Sequence, residues 1–112
     1  MEKISPQHQD HSWGAMVWLA EGETLGASLA RMTVRAGATS PAHRHRNCNE
    51  AIHVLSGEIA QRCDDEWVIL KSGETITVPA GVIHQTRNRG AGDATLMICY
   101  SSGSRDYQEI EA

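Results

Sequence analysis

The sequence predicts an all-β fold of the sandwich or barrel kind. Three observations carry this expectation. Apolar and polar residues alternate with a period of two in the clearest segment, where Ala30, Met32 and Val34 face one way and Arg31, Thr33 and Arg35 the other. Turn residues recur along the chain at roughly the eight- to twelve-residue spacing of compact β proteins. No stretch long enough for a stable helix shows helical periodicity.

Taken in order, residues 1–12 are polar and read as a loose N-terminal arm. Residues 13–20, Trp-Gly-Ala-Met-Val-Trp-Leu-Ala, form an apolar first strand that ends at the Glu21-Gly22-Glu23 turn. The alternating strand from Ser28 to Arg35 stops before Gly37. Further strands are expected over 50–55, 58–63, 67–70, 75–78, 83–89 and 94–100, with turns at Ser56-Gly57, Asp64-Asp65, Lys71-Ser72-Gly73, Pro79-Ala80-Gly81 and Gly90 to Asp93. Residues 13–101 then make one domain, and residues 102–112 are a polar tail that either forms one turn of helix or lies on the surface.

Composition narrows the function classes. The chain of 112 residues carries a formal net charge of -4, which argues against a nucleic-acid partner. Its apolar runs fall far short of the ~20 residues of a membrane span, and its N-terminus lacks the apolar core of a signal peptide. Three cysteines, Cys48, Cys63 and Cys99, make no disulfide framework, so reduced thiols and a cytoplasmic location are expected.

The informative segment runs from Gly37 to Glu50. On a strand, residues two apart share a face, so His43 and His45 point the same way and can bind one metal ion together. Asn47, Cys48 and Asn49 read as a tight connection that lets Glu50 open the neighbouring antiparallel strand and turn its carboxylate to the same point. In a second segment Pro79 and Gly81 shape a sharp turn and His84 opens the strand that follows. Three imidazoles and one carboxylate suit a borderline divalent ion: Mn, Fe, Ni, Cu, Co or Zn.

Together the two segments resemble the paired motifs of the cupin family. Gly37, His43, His45, Glu50 and Gly57 stand at the spacings of the first motif, and Gly73, Pro79, Gly81, His84 and Asn88 at those of the second. Glu74 and His53 depart from common members, where Asp and an aromatic residue are frequent, but neither belongs to the ligand set. The resemblance implies a double-stranded β-helix, or jelly-roll barrel, with one divalent transition metal per chain held by His43, His45, Glu50 and His84. It implies a metal-dependent enzyme acting on a small oxygen-rich organic molecule, an oxygenase first and a lyase or isomerase next, with Glu50 also moving a proton. The alternative is a non-catalytic module that binds a metal or small molecule.

Other residues carry weaker expectations. His53, three residues from Glu50, faces away from the ligands, and His8 and His11 are solvated arm residues. Cys48 is an inert thiol near the site, while Cys63 and Cys99 are small core residues. Arg44 points outward; Arg46, Arg87 and Arg89 either rim the barrel mouth or are solvated. Asn88 bonds a turn, and Ile52, Val54 and Met32 give the cavity an apolar lining. Trp13, Trp18 and Trp67 belong to the core or, for at least one of them, to the interface of a homodimer that covers the apolar first strand.

Overall fold

A computed structural model describes residues 1–111. The described residues form eleven strands and no helix, so among them no helix is long and apolar enough to cross a membrane. The strands are β1 (Gln7–His11), β2 (Gly14–Ala20), β3 (Ser28–Val34), β4 (His43–Arg44), β5 (Glu50–Ser56), β6 (Glu58–Cys63), β7 (Glu66–Lys71), β8 (Thr75–Val78), β9 (His84–Arg87), β10 (Ala94–Tyr100) and β11 (Gln108–Glu109). They build two antiparallel sheets, one in the order β1-β2-β3-β10-β5-β8 and the other in the order β11-β4-β9-β6-β7.

The period-two pattern does what its chemistry requires. Ser28, Ala30, Met32 and Val34 of β3 are buried, as are Ala94, Leu96, Ile98 and Tyr100 of β10 and Glu50, Ile52 and Val54 of β5. Register stacks these rows: Ile98 lies opposite Ala30 on one side and Ile52 on the other. The facing sheet closes the core with Ile59 and Leu70. Fully burying one such aliphatic side chain stabilises the fold by roughly 1.5–3 kcal/mol relative to leaving it exposed.

The β5–β6 connection carries the chain from one sheet to the other through Gly57. Its φ of 87° lies in the left-handed region, and a Cβ there would stand 3.0 Å from the Ala94 Cα. Backbone conformation and close approach both demand glycine.

Four expectations need correction. The arm is not loose: Gln7–His11 pairs with β2 along its length. Backbone hydrogen bonds are indifferent to side-chain polarity, so the polar sequence Gln-His-Gln-Asp-His satisfies the open edge of β2 without any alternation to announce it. The tail is neither helical nor simply laid over the surface, since Gln108–Glu109 adds a strand beside β4. Cys99 is exposed rather than a core residue, because its position on β10 falls between buried Ile98 and Tyr100. The apolar first strand is covered within the chain by β1 and the core, and the exposed apolar run is instead Trp67, Val68 and Ile69 on edge strand β7.

Candidate metal centre

Both sheets contribute to one cluster. Strand β4 holds His43, which lies directly across from His84 at the start of β9. His45 follows β4 at once, and the Gly81 N–H donates to its carbonyl (2.7 Å), tying the turn of the second motif to the first. Glu50 opens β5 as expected, but β5 is not the neighbour of β4. It belongs to the opposite sheet, between β10 and β8. The short segment from Arg46 to Asn49 crosses from sheet to sheet, so the carboxylate meets the imidazoles across the barrel interior. Sequence spacing alone does not distinguish a hairpin from such a crossing.

The four donor atoms lie within 4.8 Å of one another. His45, Glu50 and His84 are buried, and His43 is partly buried. Each imidazole turns Nδ1 to a backbone carbonyl: His43 to Pro41 (2.9 Å), His84 to Val82 (3.0 Å) and His45 to Asp106. With Nδ1 turned to a carbonyl, Nε2 is the atom each ring presents to the interior, where a metal would take its lone pair. The Glu50 Oε1 atom is 3.0 Å from His84 Nε2 and 3.2 Å from His45 Nε2. The His84 contact has hydrogen-bond geometry, while His45 Nε2 is a buried nitrogen without a hydrogen-bond partner among the described residues.

The electrostatics follow from this arrangement. Burial opposes charge on Glu50, yet the adjoining His45 and His84 rings outweigh it and hold the carboxyl at about 2. Burial, reinforced by the His84 ring, lowers His43 to about 4. For His84, burial pulls downward but the hydrogen bond to Glu50 wins, and its pKa is raised. A charged carboxylate therefore faces at least one neutral imidazole and one orphaned nitrogen in a buried site.

This donor set fits a divalent cation. Two donors at right angles, each at the ~2.1 Å of a metal–nitrogen or metal–oxygen bond, stand about 3 Å apart, which matches the separations from Glu50. A metal would satisfy the His45 nitrogen and the Glu50 charge at once. His43, His45, Glu50 and His84 could thus hold one ion, and the carbonyls of Pro41, Asp106 and Val82 would orient its imidazoles.

The cluster opens into a cavity of about 360 Å³. Its walls include Met16, Met32 and Ile98, in keeping with an apolar lining, but Ile52 and Val54 lie deeper in the core and do not reach it. The C-terminal segment supplies the residues that the sequence did not single out. Tyr107 stacks on His43 with ring centroids 4.9 Å apart, Asp106 accepts from His45, and Arg105 lines the cavity. Tyr100, at the inward end of β10, stands edge-on to His45 at 5.1 Å, and its phenol stays neutral because burial and the Glu50 charge raise its pKa well above 10. Only the inward parity of Tyr100 was available as a sequence signal; the tail residues meet partners some sixty positions away, and no local pattern marks them.

The remaining candidates lie elsewhere. His53 hydrogen-bonds Thr75 Oγ1 (2.7 Å) across the strand pair, away from the cluster. Cys48 is buried, and burial together with the Glu50 charge pushes its thiol up, which keeps it protonated and unreactive. Arg44 donates to Gln108, and Arg87 lies over the Trp67 ring at 4.4 Å. Neither Arg46, Arg87 nor Arg89 lines the cavity. Asn88 bonds the carbonyls of Val34 and Gly92 and accepts from Gly90, pinning the turn before β10. Trp13 and Trp18 pack against the core, and Trp67 is 41% exposed.

A double-layered antiparallel barrel with a three-histidine, one-carboxylate cluster inside one end defines a class of proteins, and comparison with known proteins gives it a name. The sequence model of the cupin domain matches residues 30–100, and the chain belongs to the cupin family. Germin-like protein 1-1 of Oryza sativa subsp. japonica is 33% identical over 94 residues, covering 80% of this chain and 44% of the rice protein. The chain thus spans less than half the length of that relative. Among solved structures, an oxalate oxidase superposes with a TM-score of 0.79 at 23% identity, over 88% of this chain and 55% of its own. A variant of Bacillus subtilis oxalate decarboxylase superposes with a TM-score of 0.83 at 17% identity, over 93% of this chain and 30% of its own. At these identities the two structures establish the double-stranded β-helix fold.

Proposed function

We propose that this chain is a metal-dependent enzyme acting on a small oxygen-rich organic molecule, with His43, His45, Glu50 and His84 as ligands of one divalent transition metal. The observation that carries the reading is the convergence of three imidazoles and one buried carboxylate on a single point at the floor of a cavity. A bound ion would supply positive charge to polarise a substrate oxygen. Glu50, charged and buried, would bind that ion and could accept a proton from the substrate, and Tyr100 keeps a neutral phenol nearby. Met16, Met32 and Ile98 give the cavity an apolar wall beside the cluster. An oxygenase-type reaction ranks first, with a lyase or isomerase next. The names of the two similar structures, an oxidase and a decarboxylase of oxalate, support a small acid as substrate.

The test is elemental analysis of protein purified without added metal, followed by a screen of small acids for dioxygen uptake and carbon dioxide release. Bound metal with turnover supports the enzyme. Bound metal with ligand binding but no turnover supports the non-catalytic alternative, and failure to bind any divalent metal rejects both. The same proposal includes a homodimer built on the exposed Trp67-Val68-Ile69 edge, which light scattering at 12.2 kDa would reject. It also includes a cytoplasmic location, supported by three free cysteines.

A further inference from the structure

Among the described residues, Arg105 is the one arginine that lines the cavity. Its guanidinium carbon lies 4.2 Å from the Trp18 ring, 5.1 Å from the Tyr100 ring and 5.7 Å from the Tyr107 ring. Tyr100 is the common neighbour of Arg105 and the cluster, since the same ring stands 5.1 Å from His45. The cation and the donor set therefore share Tyr100 as a neighbour and line the same cavity.

The backbone on both sides of Arg105 is fastened. Asn47 donates through Nδ2 to the Ser104 carbonyl (3.0 Å) and accepts through Oδ1 from the Asp106 N–H (3.0 Å), so one side chain clamps both flanking residues. The Asp106 carboxylate accepts from the Arg46 N–H (2.7 Å), and its carbonyl accepts from His45. A long, flexible side chain is held at the cavity by a rigid stem, which is how a binding residue is preorganised.

Arg105 is partly buried, and among the described residues no carboxylate stands within 4.0 Å of it, although Glu109 and Glu50 line the same cavity; the ion pairs there are those of Glu50 with His45 and His84. Nor does its guanidinium have a hydrogen-bond acceptor among the described residues, whereas Arg44 donates to Gln108 and Arg62 to Gln85 and the Asp64 carbonyl. Aromatic contacts engage the faces of a guanidinium and leave its in-plane N–H fork to bind a planar anion in bidentate fashion.

We propose that Arg105 binds the carboxylate of a small organic acid whose remaining oxygens face the His43, His45, Glu50 and His84 cluster. This names the substrate class of the site and rests on the metal-centre reading for the orientation of the acid, though not for the capture of its carboxylate. A cavity of about 360 Å³ admits an acid of few carbons. A neutral alcohol or sugar of the same size would leave the arginine without its partner.

The test titrates the full chain, Zn(II)-loaded and metal-free, with glycolate and with its neutral counterpart glycolamide. Heat of binding and the Arg105 Nε–Hε resonance are both followed. Glycolate should bind the loaded protein and shift that resonance. Arg105→Gln should weaken glycolate by about ten- to hundredfold, the usual size of a charge-assisted hydrogen-bonded pair, and leave glycolamide and zinc content unchanged. Arg105→Lys, with the charge but not the fork, should fall between. Equal glycolate affinity in wild type and Arg105→Gln, an unmoved Arg105 resonance, or no glycolate binding by zinc-loaded protein would each overturn the assignment while leaving the metal centre standing. If the protein takes up no metal, the proposed function fails separately. The metal-free titration then decides for Arg105, a saturable shift supporting it and no shift rejecting it. Should Arg105→Gln not fold, the wild-type resonance still decides.

Discussion

Replacing Glu50 with glutamine removes one negative charge from the cluster and keeps the side-chain shape. The protein itself indicates the size of the effect. Burial alone would raise the Glu50 pKa, yet the His45 and His84 rings bring it from 4.5 to about 2. At about 1.4 kcal/mol per unit, the cluster favours the charged over the neutral carboxyl by about 3 kcal/mol, even after desolvation. A divalent ion carries more positive charge than an imidazolium and should discriminate at least as strongly between carboxylate and amide. Metal affinity should therefore fall by about a hundredfold or more in Glu50→Gln. Competition against a fluorescent chelator at neutral pH, with Glu58→Gln as control, measures this directly. Glu58 is exposed at the start of β6, and its variant should bind metal as the wild type does. Retention of full affinity in Glu50→Gln would show that Glu50 is not a ligand, and the charge argument for the site would fail with it.

Three further outcomes are expected. Removing residues 105–112 deletes β11, the stacking of Tyr107 on His43 and the carbonyl that orients His45, so metal affinity should drop by about 10–100-fold, while a drop of less than twofold would show that the tail is dispensable. Gly57→Ala forces a Cβ against Ala94 at positive φ and should destabilise the protein by roughly 1–3 kcal/mol in urea unfolding, an unchanged midpoint refuting the close approach. In chelator-treated protein His43 should titrate near pH 4 by NMR. Below its ordinary 6.5 the unfolded chain takes up a proton that the buried ring refuses, so His43's contribution is intact above pH 6.5 and is lost as pH falls toward 4. That loss is about 3 kcal/mol at most, and the stability of His43→Gln should be flatter across that window, equal slopes refuting the assignment.

Most strands were legible because burial on one face imposes alternation. The row of Ala30, Met32 and Val34 is apolar since each residue meets the facing sheet, and the polar residues between them meet solvent or the outer layer. The ligand candidates were legible for a related reason. A metal site needs particular donor types at particular reach, and His43, His45, Glu50 and His84 carry those donors at motif spacing. The strands β1 and β11 left no such trace, because a two-residue pairing and a polar edge strand depend on backbone hydrogen bonds that any sequence can make.

By itself, then, the amino-acid sequence determined an all-β barrel, its turn glycines, and the four donors that meet inside it. Tertiary structure alone decided that Glu50 reaches the histidines from the opposite sheet, and that the tail returns across the cavity to bring Arg105, Asp106 and Tyr107 against the site. The reason is physical. Periodicity and motif spacing report interactions between near neighbours and with solvent, whereas the tail is placed by hydrogen bonds between residues some sixty positions apart, such as Asn47 with Ser104 and Arg46 with Asp106. Such bonds are chosen by where the barrel brings the two segments, and no local pattern encodes them.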